Sequence, residues 1–306
     1  MQKNRYGGVE KKQARWGFLF VCPAILFFSV FSFYPILNAL YTSFFDKRVL
    51  SLNAPQFVGL GNYIYLFTSS VAGFWNSLRA TFVFTIGTFI PLLVISLVWA
   101  VFLTQSVSKK ARGFFQIAYY TPAVLSSVVA AVIWKLMFDP RGLANQWVNF
   151  LFMSGGVDFK WLSNSVMLQF STMIVYFWKY IGYFVILFIT GLSSIPPTIY
   201  EAATIDGVNK WQSFWKITLP LLRPTVVLVS IMAMLQCLKT FSTQYLFTQA
   251  GAPQAPINVI TLNIYRTGIT NQRIGRASAM SIILFVIMLL FTWLQFSFSK
   301  SDDVDY

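Results

Sequence analysis

Six long stretches of the chain are apolar and nearly free of Asp, Glu, Lys and Arg, and the charged residues gather in the segments between them. A helix needs about 20 apolar residues to cross the ~30 Å hydrocarbon layer of a bilayer. The stretches therefore predict spans at roughly 17–44, 80–105, 113–138, 163–193, 224–247 and 277–299. Lys179 and Lys239 interrupt them with charge, and Lys135, at the end of the third, counts with the outer segments. The first stretch is too long for the apolar core of a cleavable signal and contains Pro23 and Pro35, so it reads as a retained span. Lys3, Arg5, Lys11, Lys12 and Arg15 precede it and predict a cytoplasmic N-terminus. An even number of spans returns the C-terminus to the same side. It also leaves Lys109, Lys110 and Arg112 inside and the segment 145–159 outside.

Composition agrees with that pattern and removes several chemistries. The 306 residues are 57% hydrophobic, 18% aromatic and only 10% charged, where a soluble domain carries about 25% charged residues. The net charge of +14 is spread in short groups, as in a membrane protein with basic loops, and no long tract suggests nucleic acid. With no His there is no His-based acid or base and no His metal ligand. Cys22 and Cys237 both sit in apolar runs, which argues against a disulfide or a zinc site. No Gly is followed by Lys, so the phosphate-cradling GxxxxGK[ST] loop is missing. No cofactor is expected.

The segment 195–224, IPPTIYEAATIDGVNKWQSFWKITLPLLRP, joins the fourth and fifth stretches on the predicted cytoplasmic side. Pro196 and Pro197 break the preceding span and lead into a short helix near Thr198. Gly207, after Asp206, can supply the left-handed turn that ends it. Trp211, Phe214 and Trp215 then form an apolar stripe at helical spacing, and Pro220 and Pro224 close the loop. Ala202 and Ala203 keep one face of the first helix shallow for a close partner, with Glu201 at its rim. An amphipathic hairpin on the membrane surface is the plainer reading of the same pattern.

Glu201-Ala202-Ala203-x-x-Asp206-Gly207, followed by Ile217-Thr218-Leu219-Pro220, resembles the EAA loop of ABC importer permeases. The remaining chain narrows the likeness to binding-protein-dependent sugar permeases of the maltose-transporter type. FLFVCPAILFFSVFSFYPILNALYTSFFD is similar to their first span, and FVGLGNYIYLF and FWNSLRATFVFT to the segments that follow. ARGFFQIAYYTPAVLSSVVAAVIWKLMFDPRGLAN resembles their third span and outer loop. TQAGAPQAPINVITLNIYRTGITNQRIGRASAMSIILF resembles the last outer loop and span, although Ala250-Gly251-Ala252-Pro253 stands where consecutive glycines are usual. The resemblance covers essentially the whole chain.

This resemblance implies a single permease domain over 1–306. Its parts are a cytoplasmic tail and first span at 1–45, core transport helices at about 75–299, and a helix-turn-helix coupling loop at 195–224. Glu201, Ala202, Ala203, Asp206 and Gly207 would dock on an ATPase subunit. The implied partners are a second permease subunit in a heterodimer, two cytoplasmic ATPase subunits, an extracellular solute-binding protein, a sugar or oligosaccharide, and the lipid of a bacterial-type plasma membrane. The chain itself would hydrolyse nothing.

Polar residues within spans are costly and usually face the bundle interior. Gln169, Thr172, Tyr176, Lys179 and Tyr183 share one face of the fourth span, and Gln236, Lys239, Thr240 and Thr243 one face of the fifth. Tyr176, Lys179, Tyr183, Gln236 and Lys239 are the candidate substrate path, and the resemblance places Tyr183 and Gln236 near sugar-contact positions. The tyrosines also suit ordinary interhelical packing. Lys239 can snorkel outward, Lys179 can pair with a carboxylate of a partner subunit, and either lysine can favour an acidic or phosphorylated solute. Two other functions compete: an importer of the same architecture for a solute such as a glycerol phosphate, and a membrane-embedded enzyme. The enzyme would need clustered carboxylates or His at the bilayer surface, and the chain has nine acidic residues in all.

Overall fold

The computed structural model describes residues 3–51, 54–105, 107–152 and 158–300. Residues 153–157 of the segment expected outside, and the acidic tail residues Asp302, Asp303 and Asp305, lie beyond the described residues. The chain is helical almost throughout and divides into two compact units, Met1–Ala72 with Ile264–Ile283, and Gly73–Asn263 with Leu284–Tyr306.

In the first unit, α1 (Lys3–Phe28) runs through a π-helical stretch, Ser29–Phe33, into α2 (Tyr34–Ser43). Pro23 and Pro35 are both absorbed without ending the span, Pro35 directly after the π-helical stretch. Large side chains along it, Phe18, Phe20, Leu26 and Phe31 among them, are exposed and apolar, as lipid-facing residues are. A two-residue antiparallel pair, β1 (Phe45–Asp46) and β2 (Gln56–Phe57), follows, and then α3 (Gly61–Thr68). Buried Asn62 ties this corner together, donating to the carbonyls of Ser43 at 2.8 Å and Phe45 at 2.9 Å. Around it two arginines find partners. Arg48 pairs with Asp46 at 3.1 Å, and Arg276 lies 3.6 Å from the ring centre of Tyr65.

The second unit is built on α4 (Phe74–Gln105), α5 (Lys109–Val124), α6 (Ser127–Met137), α7 (Leu143–Phe152) and α8 (Ser165–Ser193). Lipid tails are as apolar as leucine, so such helices associate through van der Waals packing, and small residues bring backbones close. Phe84, Leu92, Ala100 and Leu103, spaced about two turns or one turn apart on α4, pack in one core with Phe184, Phe188 and Leu192 of α8. Thr81 and Ser96, also buried on α4, return their hydroxyls to carbonyls of the preceding turn at 2.7 and 2.5 Å, as a hydroxyl in an apolar medium must.

The third span differs from expectation. Instead of one helix over 113–138, α5 and α6 meet at a bend of 99°. Leu125 and Ser126 are extended, and the Ser126 hydroxyl caps the new helix by accepting from the Val129 N–H at 3.2 Å. Pro122 lies in the last turn of α5, where it weakens continuation, and the serine restarts the helix. Among the described residues, five further helices are long and apolar enough to cross a membrane, at Trp16–Ser43, Phe74–Gln105, Ser165–Ser193, Arg223–Gln249 and Ile274–Ser297. The bent pair brings the number to six if it counts as one span.

The predicted outer loop after α6 is organised by one side chain. Asn145, 3% exposed, donates to the carbonyls of Pro140 at 3.0 Å and Phe159 at 3.2 Å and to the Asp158 carboxylate at 3.2 Å. Its own oxygen accepts the indole N–H of Trp161 at 2.8 Å.

Candidate functional site

The segment between α8 and the next span folds as two arms about a glycine. Pro196 is extended and Pro197 opens α9 (Pro197–Ile205) in its first turn. The helix ends at Asp206. Gly207 has φ of +73°, and the N–H of Val208 reaches back to the carbonyl of Ala203 at 2.9 Å. That is the geometry by which a left-handed residue satisfies the last carbonyls of a helix. Asn209 then starts α10 (Lys210–Ser213) with a reciprocal cap, its side chain accepting from the Gln212 N–H at 2.8 Å while Gln212 accepts from the Asn209 N–H at 3.2 Å.

The second arm is longer than its prolines suggest. From α10 it continues through a π-helical turn, Phe214–Thr218, and a short α11 (Leu219–Leu221) into α12 (Arg223–Leu238). Pro220 and Pro224 fall in first turns, where they are tolerated. Tyr200 of the first arm and Thr218 of the second join their hydroxyls at 3.2 Å.

The two faces of α9 differ. Ala203 is 7% exposed and, with Tyr200 and Thr204, lines a cavity of about 490 Å³ whose other wall includes Thr104, Arg112 and Leu192. Arg112 reaches the open end of α4, donating to the carbonyls of Leu103 at 3.0 Å and Thr104 at 2.8 Å, where a cation also meets the negative pole of the helix. Glu201, Ala202, Asp206 and Gly207 are exposed. Beside them Ile205 is 87% and Trp211 71% exposed, and the rings of Trp211 and Trp215 meet edge to face at 5.7 Å. The outward face is thus Glu201, Ala202 and the Ile205–Trp211–Trp215 patch. Ala203, expected on that face, points inward. Ile205 was not legible as a face residue because its exposure depends on where the turn at Gly207 aims the second arm.

The polar stripes of the fourth and fifth spans separate into two parts. Toward the N-terminus of α8, Gln169 donates to the carbonyl of Pro256 at 2.9 Å and Thr172 back-bonds to Gln169 at 2.7 Å, so these residues anchor a loop. Lower down, Tyr176, Lys179, Gln236 and Lys239 line one cavity of about 220 Å³ together with Ser127 and Tyr180. Tyr183 is not among its walls. It is half-buried and packs its ring against Phe184 at 5.1 Å, at the edge of the core.

Two helix breaks open onto this cavity. One is the bend at Leu125 and Ser126, which presents Ser127 in the first turn of α6. The other lies at the end of α12. Lys239 caps that helix, Thr240 and Phe241 interrupt it, and α13 (Ser242–Gln249) restarts with Ser242 and Thr243 against the cavity. Lys179, 7% exposed, donates to the Ser127 hydroxyl at 2.9 Å. Thr240 Oγ1 donates to Gln244 at 3.1 Å, and its carbonyl accepts from Thr261. Phe241 and Tyr245 stack at 5.2 Å. Ser127, Tyr180, Phe241 and Ser242 were missed by periodicity. The only sequence signals for them are the serine pair after Pro122 and the polar run from Lys239 to Thr243.

The family described as the binding-protein-dependent transport system inner membrane component matches residues 65–301. Among curated proteins, the probable starch degradation products permease AmyD of Thermoanaerobacterium thermosulfurigenes is 30% identical, over 96% of this chain and 97% of its own. The arabinooligosaccharides permease AraP of Bacillus subtilis is 31% identical over 93% and 88%, and the trehalose/maltose permease MalF of Thermococcus litoralis 30% over 95% and 96%. Among solved structures, a chain of a bacterial alginate ABC transporter in complex with its periplasmic protein shares the fold, with a TM-score of 0.81 at 22% identity over 95% of this chain and 96% of that one.

Proposed function

The chain belongs to the family of binding-protein-dependent transport system inner membrane components, and from that membership we propose that it is one permease subunit of an ATP-driven importer. Its solute is a sugar or oligosaccharide delivered by an extracellular solute-binding protein, in line with the relatives of similar length. It lies in the plasma membrane with both termini in the cytoplasm, pairs with a second permease subunit, and draws on ATP hydrolysed by separate ATPase subunits.

The observation that carries the reading is the two-armed segment 197–213. A left-handed turn at Gly207 and a reciprocal cap at Asn209 hold an exposed apolar patch beside Glu201, while the Tyr200–Thr218 hydroxyl pair ties the first arm to the second and Ala203 faces the cavity at the ends of the spans. An element built this way moves as a unit when pushed from outside. Pushing Glu201 and Trp211 displaces α9 and α10, and both lead directly into membrane helices, α8 and α12. ATPase closure would then be transmitted to the helices around the 220 Å³ cavity without any nucleotide contact by this chain.

The test is co-purification of the tagged chain with ATPase subunits, followed by measurement of solute-stimulated ATP hydrolysis. Glu201→Lys removes the rim carboxylate and should weaken ATPase association while membrane insertion stays normal. Full association and full stimulation in this variant, together with Trp211→Ala, would sink the docking role.

A further inference from the structure

Lys179 and Lys239 face the same 220 Å³ cavity, and among the described residues no carboxylate lines it. None of the nine acidic residues of the chain falls within the sequences of α5, α6, α8, α12 or α13. Among the described residues, the ion pairs formed are those of Asp46 with Arg48 and Arg273. Lys179 spends one of its three N–H donors on the neutral hydroxyl of Ser127, and its ammonium lies 5.5 Å from the ring centre of Tyr180. An uncompensated ammonium within an apolar bundle is costly and marks a functional position. Lys179 is buried in this way, and exposed Lys239 brings a second positive charge to the same cavity, so the pair favours a common anion.

The backbone adds to the same sign. The first turns of α6 and α13 both border the cavity, and a helix N-terminus favours negative charge. The first turn of α13 has no side-chain cap of its own. Gln236 adds a different requirement: its side-chain oxygen is buried without a hydrogen-bond partner and therefore asks for a donor. Hydroxyl groups supply donors, and the rings of Tyr180 and Phe241 offer apolar faces to the C–H side of a sugar.

Resting on the importer reading above, we propose that this cavity binds the anionic group of an acidic sugar. A carboxylate or phosphate is held between Lys179, Lys239 and the two half-helix N-termini, with a neighbouring hydroxyl donating to Gln236. A neutral sugar would satisfy Gln236 and leave both ammonium groups without a counter-charge.

The complete importer, with its binding protein, second permease and ATPases, is reconstituted in proteoliposomes and offered labelled trigalacturonate, sn-glycerol 3-phosphate or maltotriose. Accumulation of trigalacturonate identifies a sugar carboxylate, and accumulation of the glycerol phosphate identifies a phosphate. Lys239→Gln, at an exposed position where folding is not at risk, and Lys179→Gln should each lower that uptake about 10- to 100-fold, the range for a hydrogen bond to a charged group. Lys239→Arg should retain most of it, and assembly with the ATPases should be unchanged in all three variants. Accumulation of maltotriose alone, accumulation of no probe, or unaltered anion uptake in both Lys→Gln variants overturns the proposal. Loss of assembly in Lys239→Gln also overturns it, by assigning that lysine to a partner subunit. Each of these results leaves the importer reading to be judged by ATPase co-purification, which uses no solute.

Discussion

Gly182 of α8 lies against the carbonyl of Tyr119 in α5, in the space where a Cβ would stand. The missing side chain is what lets the two backbones approach, and it sets the position of α5 just before the bend that opens the cavity. Gly182→Ala should therefore push α5 outward at a cost of about 1–3 kcal/mol, the range for overpacking a closed site. Gly113→Ala, in open space on α5, should be neutral or stabilising by up to ~1 kcal/mol through helix propensity. Thermal unfolding of the two detergent-purified variants makes the comparison, and equal Tm values would refute the close approach.

Thr81 of α4 accepts the backbone N–H of Ile260 at 2.8 Å, at a site where both residues are almost fully buried. Thr81→Val keeps the shape and removes the acceptor, leaving that N–H unpaired at about 1–3 kcal/mol. Thr81→Ser should lose much less, since the hydroxyl remains. A stability difference confined to the valine variant is the expected result.

Asn145 serves four partners at once, so truncating it strands several groups together. Asn145→Ala should cost roughly 1–3 kcal/mol for each buried group left unpaired. Limited proteolysis should then cut between 139 and 161 at far lower protease concentrations. Asp158→Asn, at an exposed carboxylate, keeps an oxygen acceptor and should change the cleavage pattern little.

At Gly207 an added Cβ would meet nothing within 4 Å, so the only obstacle is the backbone at φ +73°. A β-substituted residue there costs roughly 1–2 kcal/mol in the left-handed conformation, which Asn tolerates better. Gly207→Val should reduce ATPase stimulation while Gly207→Asn preserves most of it. If both variants stimulate normally, the turn is not what aims the second arm.

The proposed orientation is checked by single cysteines at exposed positions, Ser194 at the end of α8 and Lys160 before it, in a chain with Cys22 and Cys237 replaced. An impermeant thiol reagent should reach residue 160 only from outside and residue 194 only from inside. Labelling of both from one side would end the proposed topology.

The sequence by itself located the apolar stretches and the two-armed loop. Apolar content over about 20 residues is a local quantity, and so is the chemistry of a turn. Gly207 after Asp206 and Pro197 at the start of the first short helix each act within a few residues, so pattern alone locates them; the Asn209–Gln212 cap is just as local, but it was seen only in the structure. The bend at Leu125 and Ser126 escaped because no charged residue stands near it, Lys135 lying in the last turn of α6. A proline late in a helix and a serine pair are equally compatible with a continuous span in a bilayer.

Only the tertiary structure decided which polar residues share a space. Periodicity put Gln169, Tyr176, Lys179 and Tyr183 on one face of α8. That face is nearly 30 residues of helix long, and what each position meets depends on its neighbours. Near the top Gln169 finds the carbonyl of Pro256, in the middle Lys179 finds Ser127 at the broken third span, and lower down Tyr183 finds the apolar core. Ala203 turned inward for the same reason: a short helix buries whichever side its flanking spans allow. Helical spacing fixes which residues point together, and the packing of other helices against them fixes what they point at.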